Sequence, residues 1–186
     1  MENTLRQSYS MRIIVSLCAL LLSTISINVN AQVSPLAVNY VVASERLHTS
    51  GQPDTLQLSS IADLGFELVI NLATPTSQNA VPTEGQLITA TGVSYLNIPV
   101  DWRHPTYDDF EFFSGVLNQS GNRQVLIHCA LNFRASMFTF LYRVVHEKTL
   151  PEDAFRSVAQ VWDPEEHWVE FGQMVHDRYQ IDYEIP

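Results

Sequence analysis

The stretch Gln124-Val125-Leu126-Ile127-His128-Cys129-Ala130-Leu131-Asn132-Phe133-Arg134-Ala135-Ser136 decides how this chain is read. Gln124–His128 is a short run rich in β-forming apolar residues, the pattern of a buried strand. From about Arg134 to His146 the pattern is that of a helix. A cysteine therefore sits in a short loop between a strand and a helix N-terminus. Backbone N–H groups of such a loop and the positive end of the helix converge there and favour an anion. The same field favours thiolate over thiol. Arg134 follows, and its planar fork can grip two oxygens of an oxyanion. A nucleophilic thiolate in an anion cradle is what attack on a phosphate monoester through a cysteinyl-phosphate requires.

Outward from this loop the chain alternates strand and helix. Ala37–Val42 reads as a first strand, followed by Leu47-His48-Thr49-Ser50-Gly51-Gln52-Pro53. Asp54 caps a helix expected to run to Leu64, with Gly65 as its stop. Glu67–Leu72 is a buried strand, Ala73–Val81 a loop, and Thr83–Thr91 a helix with Thr83 as cap. Val93–Val100 is a third strand and Asp101–Tyr107 a loop. Thr106–Leu117 is helical, with Asp108, Asp109 and Glu111 near its positive end. Pro151–Val161 and Glu165–Tyr179 add a helical C-terminal layer. Short connections between strands and helices imply right-handed crossovers, so the expected fold is α/β. A central, mainly parallel sheet is flanked by helices, and ligands in such sheets bind beyond the carboxyl ends of the strands.

The ends and the composition set the context. Arg6 and Arg12 precede the uncharged, largely apolar run Ile13–Leu22, and Val29-Asn30-Ala31 offers a cleavage site. This is the layout of a secretory signal, with Met11 as an alternative start. The run is shorter than the roughly 20 residues of a membrane span. Residues 1–31 are therefore expected to be removed. Residues 32–186 then form a single domain acting in the periplasm or secreted, with no membrane association. The 186 residues carry 10 Lys and Arg against 20 Asp and Glu, a formal net charge of −10. Such a field argues against nucleic acid as a partner. Cys18 would leave with the signal, so Cys129 would have no disulfide partner, and a lone exported thiol is either buried and inert or functional. The six histidines show no zinc-ligand spacing, so no metal and no cofactor are expected.

Strand, His128-Cys129, loop, arginine, Ser136 and helix together resemble the protein tyrosine and dual-specificity phosphatase superfamily, with its pattern H-C-x-x-G-x-x-R-[ST]. Ser50-Gly51-Gln52-Pro53, Val69-Ile70-Asn71-Leu72 and Ile98-Pro99-Val100-Asp101 extend the likeness. With them the chain is similar to the small bacterial phosphatase-like family also found fused to β-lactamase-like hydrolases. The resemblance spans about Leu47 to His146. It implies Cys129 as nucleophile and Arg134 as phosphate ligand. It implies Asp101, on the loop after the third strand, as proton donor to the leaving group. Ala130, Leu131, Asn132, Phe133 and Ser136 would form the anion loop, and His128 would support it from behind. Asn132 falls on the glycine of the pattern, where asparagine best tolerates a left-handed backbone. Arg134 falls one place before the family's arginine, and Ala135 takes that place.

The expected function is hydrolysis of a phosphate monoester, with a phosphorylated substrate of unspecified type as partner. Two alternatives stay open. The Cys129 to Arg134 spacing is that of C-x-x-x-x-R in rhodanese-like sulfurtransferases, although the upstream rhodanese segments are missing. The displaced arginine is also compatible with an inactive anion-binding pseudo-phosphatase. Phe133, Met137, Phe138 and Phe140 read as packing their helix into the core, and Trp162 and Trp168 as packing of the last helices. Trp102 and His104 either wall the pocket or pack, with packing the expectation for Trp102.

Overall fold

The apolar runs become the elements of an α/β fold in the computed structural model, which describes residues 36–186. The expected signal segment, 1–31, lies outside them. Five short strands form one sheet: β1 (Val41–Val42), β2 (Leu47–Ser50), β3 (Leu68–Asn71), β4 (Ser94–Asn97) and β5 (Val125–His128). Their order is β1-β2-β5-β3-β4, and every pairing is parallel except β1 with β2. The sheet is thus mixed but mostly parallel. β5 enters last and takes the central place, with Ser50 and Asn71 flanking His128 in register.

Six helices cover the sheet: α1 (Thr55–Ser59), α2 (Glu84–Ala90), α3 (Tyr107–Gln119), α4 (Phe133–Val145), α5 (Pro151–Ala159) and α6 (Glu166–Arg178). Strand alternation divides the core in two. Val125, Ile127 and Cys129 face one side with Leu68 and Ile70, under α3–α6. Leu126 and Val69 face the other, with Leu58 and Ile88 from α1 and α2. Every residue of α4 is buried except Phe133 and Arg143. A helix apolar on all sides must be enclosed, and α4 packs on β2, β5, α3, α5 and α6. Phe138 sits between Phe110, Phe113, Trp168 and Phe171.

Several boundaries differ from the sequence reading. The first strand shrinks to Val41–Val42, because Asn39 takes a left-handed backbone with φ 55°. The segment after it, Leu47–Ser50, is a full strand. The helix after Asp54 breaks at Ser60 into α1 and a 3₁₀ turn, Ile61–Leu64, ended by Gly65 at φ 86°. Asp54 does close a capping box with Gln57, as Thr106 does with Asp109. Thr83 precedes α2 without a side-chain cap bond. No helix among the described residues is long and apolar enough to cross a membrane.

Burial holds the His176 imidazole below its ordinary value of 6.5, with the Tyr183 carbonyl and Asp177 opposing this. Its Nδ1 lies 3.2 Å from the Tyr183 carbonyl oxygen, tying the C-terminal tail to α6. Burial lowers His48 and His146 as well. The unfolded chain then takes up protons as pH falls through about 6.5, whereas the folded chain resists until lower pH. Their contribution to stability is therefore full above that value and is lost below it. Urea denaturation at about pH 7.5 and about pH 5.5 is expected to show a loss of stability, smaller in His176→Gln. An unchanged loss in the variant would remove His176 from the account.

Candidate active site

The loop after β5 is held from three directions. The Cys129 N–H donates to the Ser50 carbonyl at 3.2 Å. The Ala130 carbonyl accepts from the Gln52 N–H at 3.1 Å and from Asn79 Nδ2 at 2.9 Å. Asn39 Nδ2 donates to the Leu131 carbonyl at 3.0 Å. A trans peptide sets N–H opposite C=O, so fixing the Ala130 carbonyl turns the Leu131 N–H away from those donors. Gly51 makes the close approach possible. A Cβ there would lie 2.4 Å from Val38 Cγ1 and 2.9 Å from the Ala130 carbonyl oxygen.

Asn132 is the residue before α4 and has φ 73°. Its buried Nδ2 donates to the Asn39 carbonyl at 2.5 Å and to Thr49 Oγ1 at 3.0 Å. Asparagine thus supplies both the left-handed turn and two ties to the β1–β2 region, where glycine would supply only the turn.

This turn brings Cys129 and Arg134 to one cavity of about 180 Å³, lined also by Trp102, Ala130, Leu131 and Phe133. Cys129 is 1% exposed and the only cysteine among the described residues. Arg134 is 7% exposed. Its Nη1 donates to the carbonyls of Val100 at 3.0 Å and Leu72 at 3.3 Å, at the ends of β4 and β3. The Trp102 ring centroid lies 6.0 Å from its guanidinium carbon. Its Nε is buried and has no hydrogen-bond partner among the described residues. A buried, unpaired N–H of a cation is costly unless a ligand accepts from it.

The other expected residues lie elsewhere. Asp101 does not line the cavity. Its Oδ1 accepts from the N–H groups of Arg103 at 2.7 Å and His104 at 3.0 Å, and His104 Nδ1 is 3.5 Å away. The Arg103 amide, then the His104 amide and charge, hold this exposed carboxyl below the usual carboxylate range. Ser136 sits one turn further along α4, and its hydroxyl is engaged outside the cavity. It donates to the Phe133 carbonyl at 3.0 Å and accepts from Trp162 Nε1 at 3.2 Å. Trp102 both packs and lines the cavity, against Phe133, Trp162 and Trp168. His167 Nε2 is 3.0 Å from the Trp102 carbonyl oxygen and anchors this segment to α6.

On the opposite face of the sheet lies a network the sequence did not reveal. His128, fully buried, places Nε2 2.6 Å from Glu84 Oε1. Asn71 Nδ2 donates to Glu84 Oε2 at 2.9 Å, and Asn71 Oδ1 accepts from the Ala73 N–H at 2.7 Å. Burial first, then the Glu84 charge, pushes the adjoining Tyr95 hydroxyl up. Asn71 inside an apolar strand was the one available signal. Glu84 looks like any acid in a first helical turn.

Removing Glu84 leaves His128 and Asn71 buried without their partner. Glu84→Ala is expected to cost about 3 kcal/mol, and Glu84→Gln, which keeps an acceptor for Asn71, clearly less. Chemical denaturation of both variants checks this. Equal losses would show that the carboxylate's hydrogen bonds are not what matters.

No protein-family model matches the chain, and no curated protein matches it. Solved structures do. A candidate phosphatase (DUF442) from Shewanella putrefaciens CN-32 is 31% identical, with a TM-score of 0.71 over 76% of this chain and 93% of that one. Tk-PTP in its active form is 17% identical, with a TM-score of 0.64 over 75% of this chain and 97% of its own. PTPMT1, solved in complex with PI(5)P, is 15% identical, with a TM-score of 0.64 over 76% and 96%. The last two likenesses concern the fold alone.

Proposed function

We propose that this chain, which belongs to the protein tyrosine and dual-specificity phosphatase-like superfamily, is an exported cysteine-dependent phosphomonoesterase. The observation that carries this reading is the shared cavity of Cys129 and Arg134, with the Arg134 Nε buried and without a partner among the described residues. Arg134 lines this cavity although it stands one place before the family's arginine.

In the proposed reaction the Cys129 thiolate attacks phosphorus and the bond to the leaving oxygen breaks, giving a cysteinyl-phosphate and an alcohol. Water then attacks the same phosphorus, the S–P bond breaks, and phosphate leaves as the thiolate returns. Arg134 and the loop amides hold the equatorial oxygens, whose charge they offset in both transition states. Asp101 is the proposed donor to the leaving oxygen. It serves once its carboxylate leaves the Arg103 and His104 amides, since a carboxyl held ionised has no proton to give.

Hydrolysis of an aryl phosphate is expected to survive EDTA and to be abolished in Cys129→Ser. Arg134→Ala should lose about a hundredfold or more in kcat/KM. Asp101→Asn should slow alkyl phosphates more than p-nitrophenyl phosphate, whose leaving group needs no proton. Full turnover in Cys129→Ser would end the proposal. Export predicts a purified chain that begins near Gln32, which N-terminal sequencing reads directly.

A second reading is favoured by one feature, the C-x-x-x-x-R spacing from Cys129 to Arg134. A sulfurtransferase would carry sulfane sulfur on Cys129 and use Arg134 for an anionic donor such as thiosulfate. Cyanolysable sulfur on the purified chain, with no phosphate released from any ester, would favour it. Phosphate binding by calorimetry without either reaction would indicate a pseudo-phosphatase.

A further inference from the structure

We infer that the Cys129 cavity selects anions carrying one phosphoryl group on an uncharged, apolar body, and that Leu131 sets this selectivity; this rests on the phosphatase reading and narrows its substrate class. Around the thiol and the single cation, Arg134, the lining is Trp102, Ala130, Leu131 and Phe133, with no other charged side chain. Phe133 stacks on Trp162 at 4.7 Å and 8°, and Trp102 stands 5.9 Å from Phe133, so one wall is aromatic and rigid. Leu131 forms another part of the lining. It is 46% exposed, although large apolar side chains elsewhere among the described residues are mostly buried. Its position is not free, because its carbonyl is tied to Asn39.

A second anionic group on the substrate would find no partner here. Arg134 already donates through Nη1 to two backbone carbonyls. Arg103 and His104 lie on the adjacent loop, but both are exposed and neither lines the cavity. Asp101 on the same loop, and Asp163, Glu165 and Glu166 beside Trp162, add negative charge, within a chain of net charge −10. A second anion would thus lose water against apolar walls with no cation to replace it. An aryl or alkyl body would bury its own surface against Trp102, Leu131 and Phe133.

The test compares phenyl phosphate with 4-carboxyphenyl phosphate, which differ by one charge at the far end of the ring, and with inositol 1,4-bisphosphate. The full chain is expected to prefer phenyl phosphate by about tenfold or more in kcat/KM, the scale on which an apolar pocket discriminates. Leu131→Lys should narrow that gap by raising turnover of the charged esters. Calorimetry with phenylphosphonate and 4-carboxyphenylphosphonate reads the same preference without turnover. A chain that binds phenylphosphonate more tightly but cleaves no ester upholds the selectivity and ends the phosphatase reading. Equal handling of the charged and uncharged probes overturns the inference, as does a ratio unchanged in Leu131→Lys or binding of neither phosphonate.

Discussion

Four residues, Cys129 to Asn132, must carry the chain from the central strand of the sheet into a helix enclosed on nearly every side. Neither end can give way. β5 is paired on both edges, and α4 is fixed by the packing of Phe138, Phe140 and their neighbours. The reversal in so short a span needs a left-handed residue, and Asn132 provides it at φ 73°. Around that turn the loop carbonyls are held by Asn39, Asn79 and Gln52, from three separate segments. The loop's shape is thus imposed from outside, which suits a site whose amides must be oriented before a ligand arrives.

The same junction places the arginine. With α4 starting at Phe133, Arg134 lies in the first helical turn, next to the cavity and not behind it. Its Nη1 grips the carbonyls that follow β3 and β4, so the two strand ends fix the guanidinium in return. Asn132 keeps the place of the pattern's glycine and Ser136 that of its Ser/Thr, so only the arginine stands out of register. Ser136 donates to the Phe133 carbonyl and accepts from Trp162, and does not line the cavity. The cation is retained at the cavity and the hydroxyl is not.

What the sequence made legible follows the same division. The strand-to-helix junction, the mainly parallel sheet and the helical C-terminal layer could all be read, because periodicity and caps are local signals. β2 was harder. Leu47-His48-Thr49-Ser50 mixes polar with apolar residues, and only the fold shows that Thr49 is buried against Asn132. Asn39 could not be read as a turn, since its left-handed backbone depends on contacts with Leu131 and Asn132, more than ninety positions along the chain. Glu84 was illegible for a similar reason. Alternation sends His128 to the face opposite Cys129, and only there does α2 bring a carboxylate to it. The register of Arg134 and Ser136 was visible, but its consequence was not, because a one-residue shift on a helix can be absorbed by the loop or by the side chain.

The Asp101 segment shows how these constraints combine. Val100, just before it, is tied to Arg134 through its carbonyl, and Trp102, just after it, is tied to His167 and enclosed by aromatic rings. Asp101 is therefore a single residue between two fixed points. A wholesale swing of the loop would break the arginine's hold on β4 and open the aromatic wall of the cavity. Rotation of the carboxylate alone would break only its bonds to the Arg103 and His104 amides. For the proton donor proposed above, the lower-cost route is thus a local one, in which the cavity wall and the cation stay in place while one side chain turns.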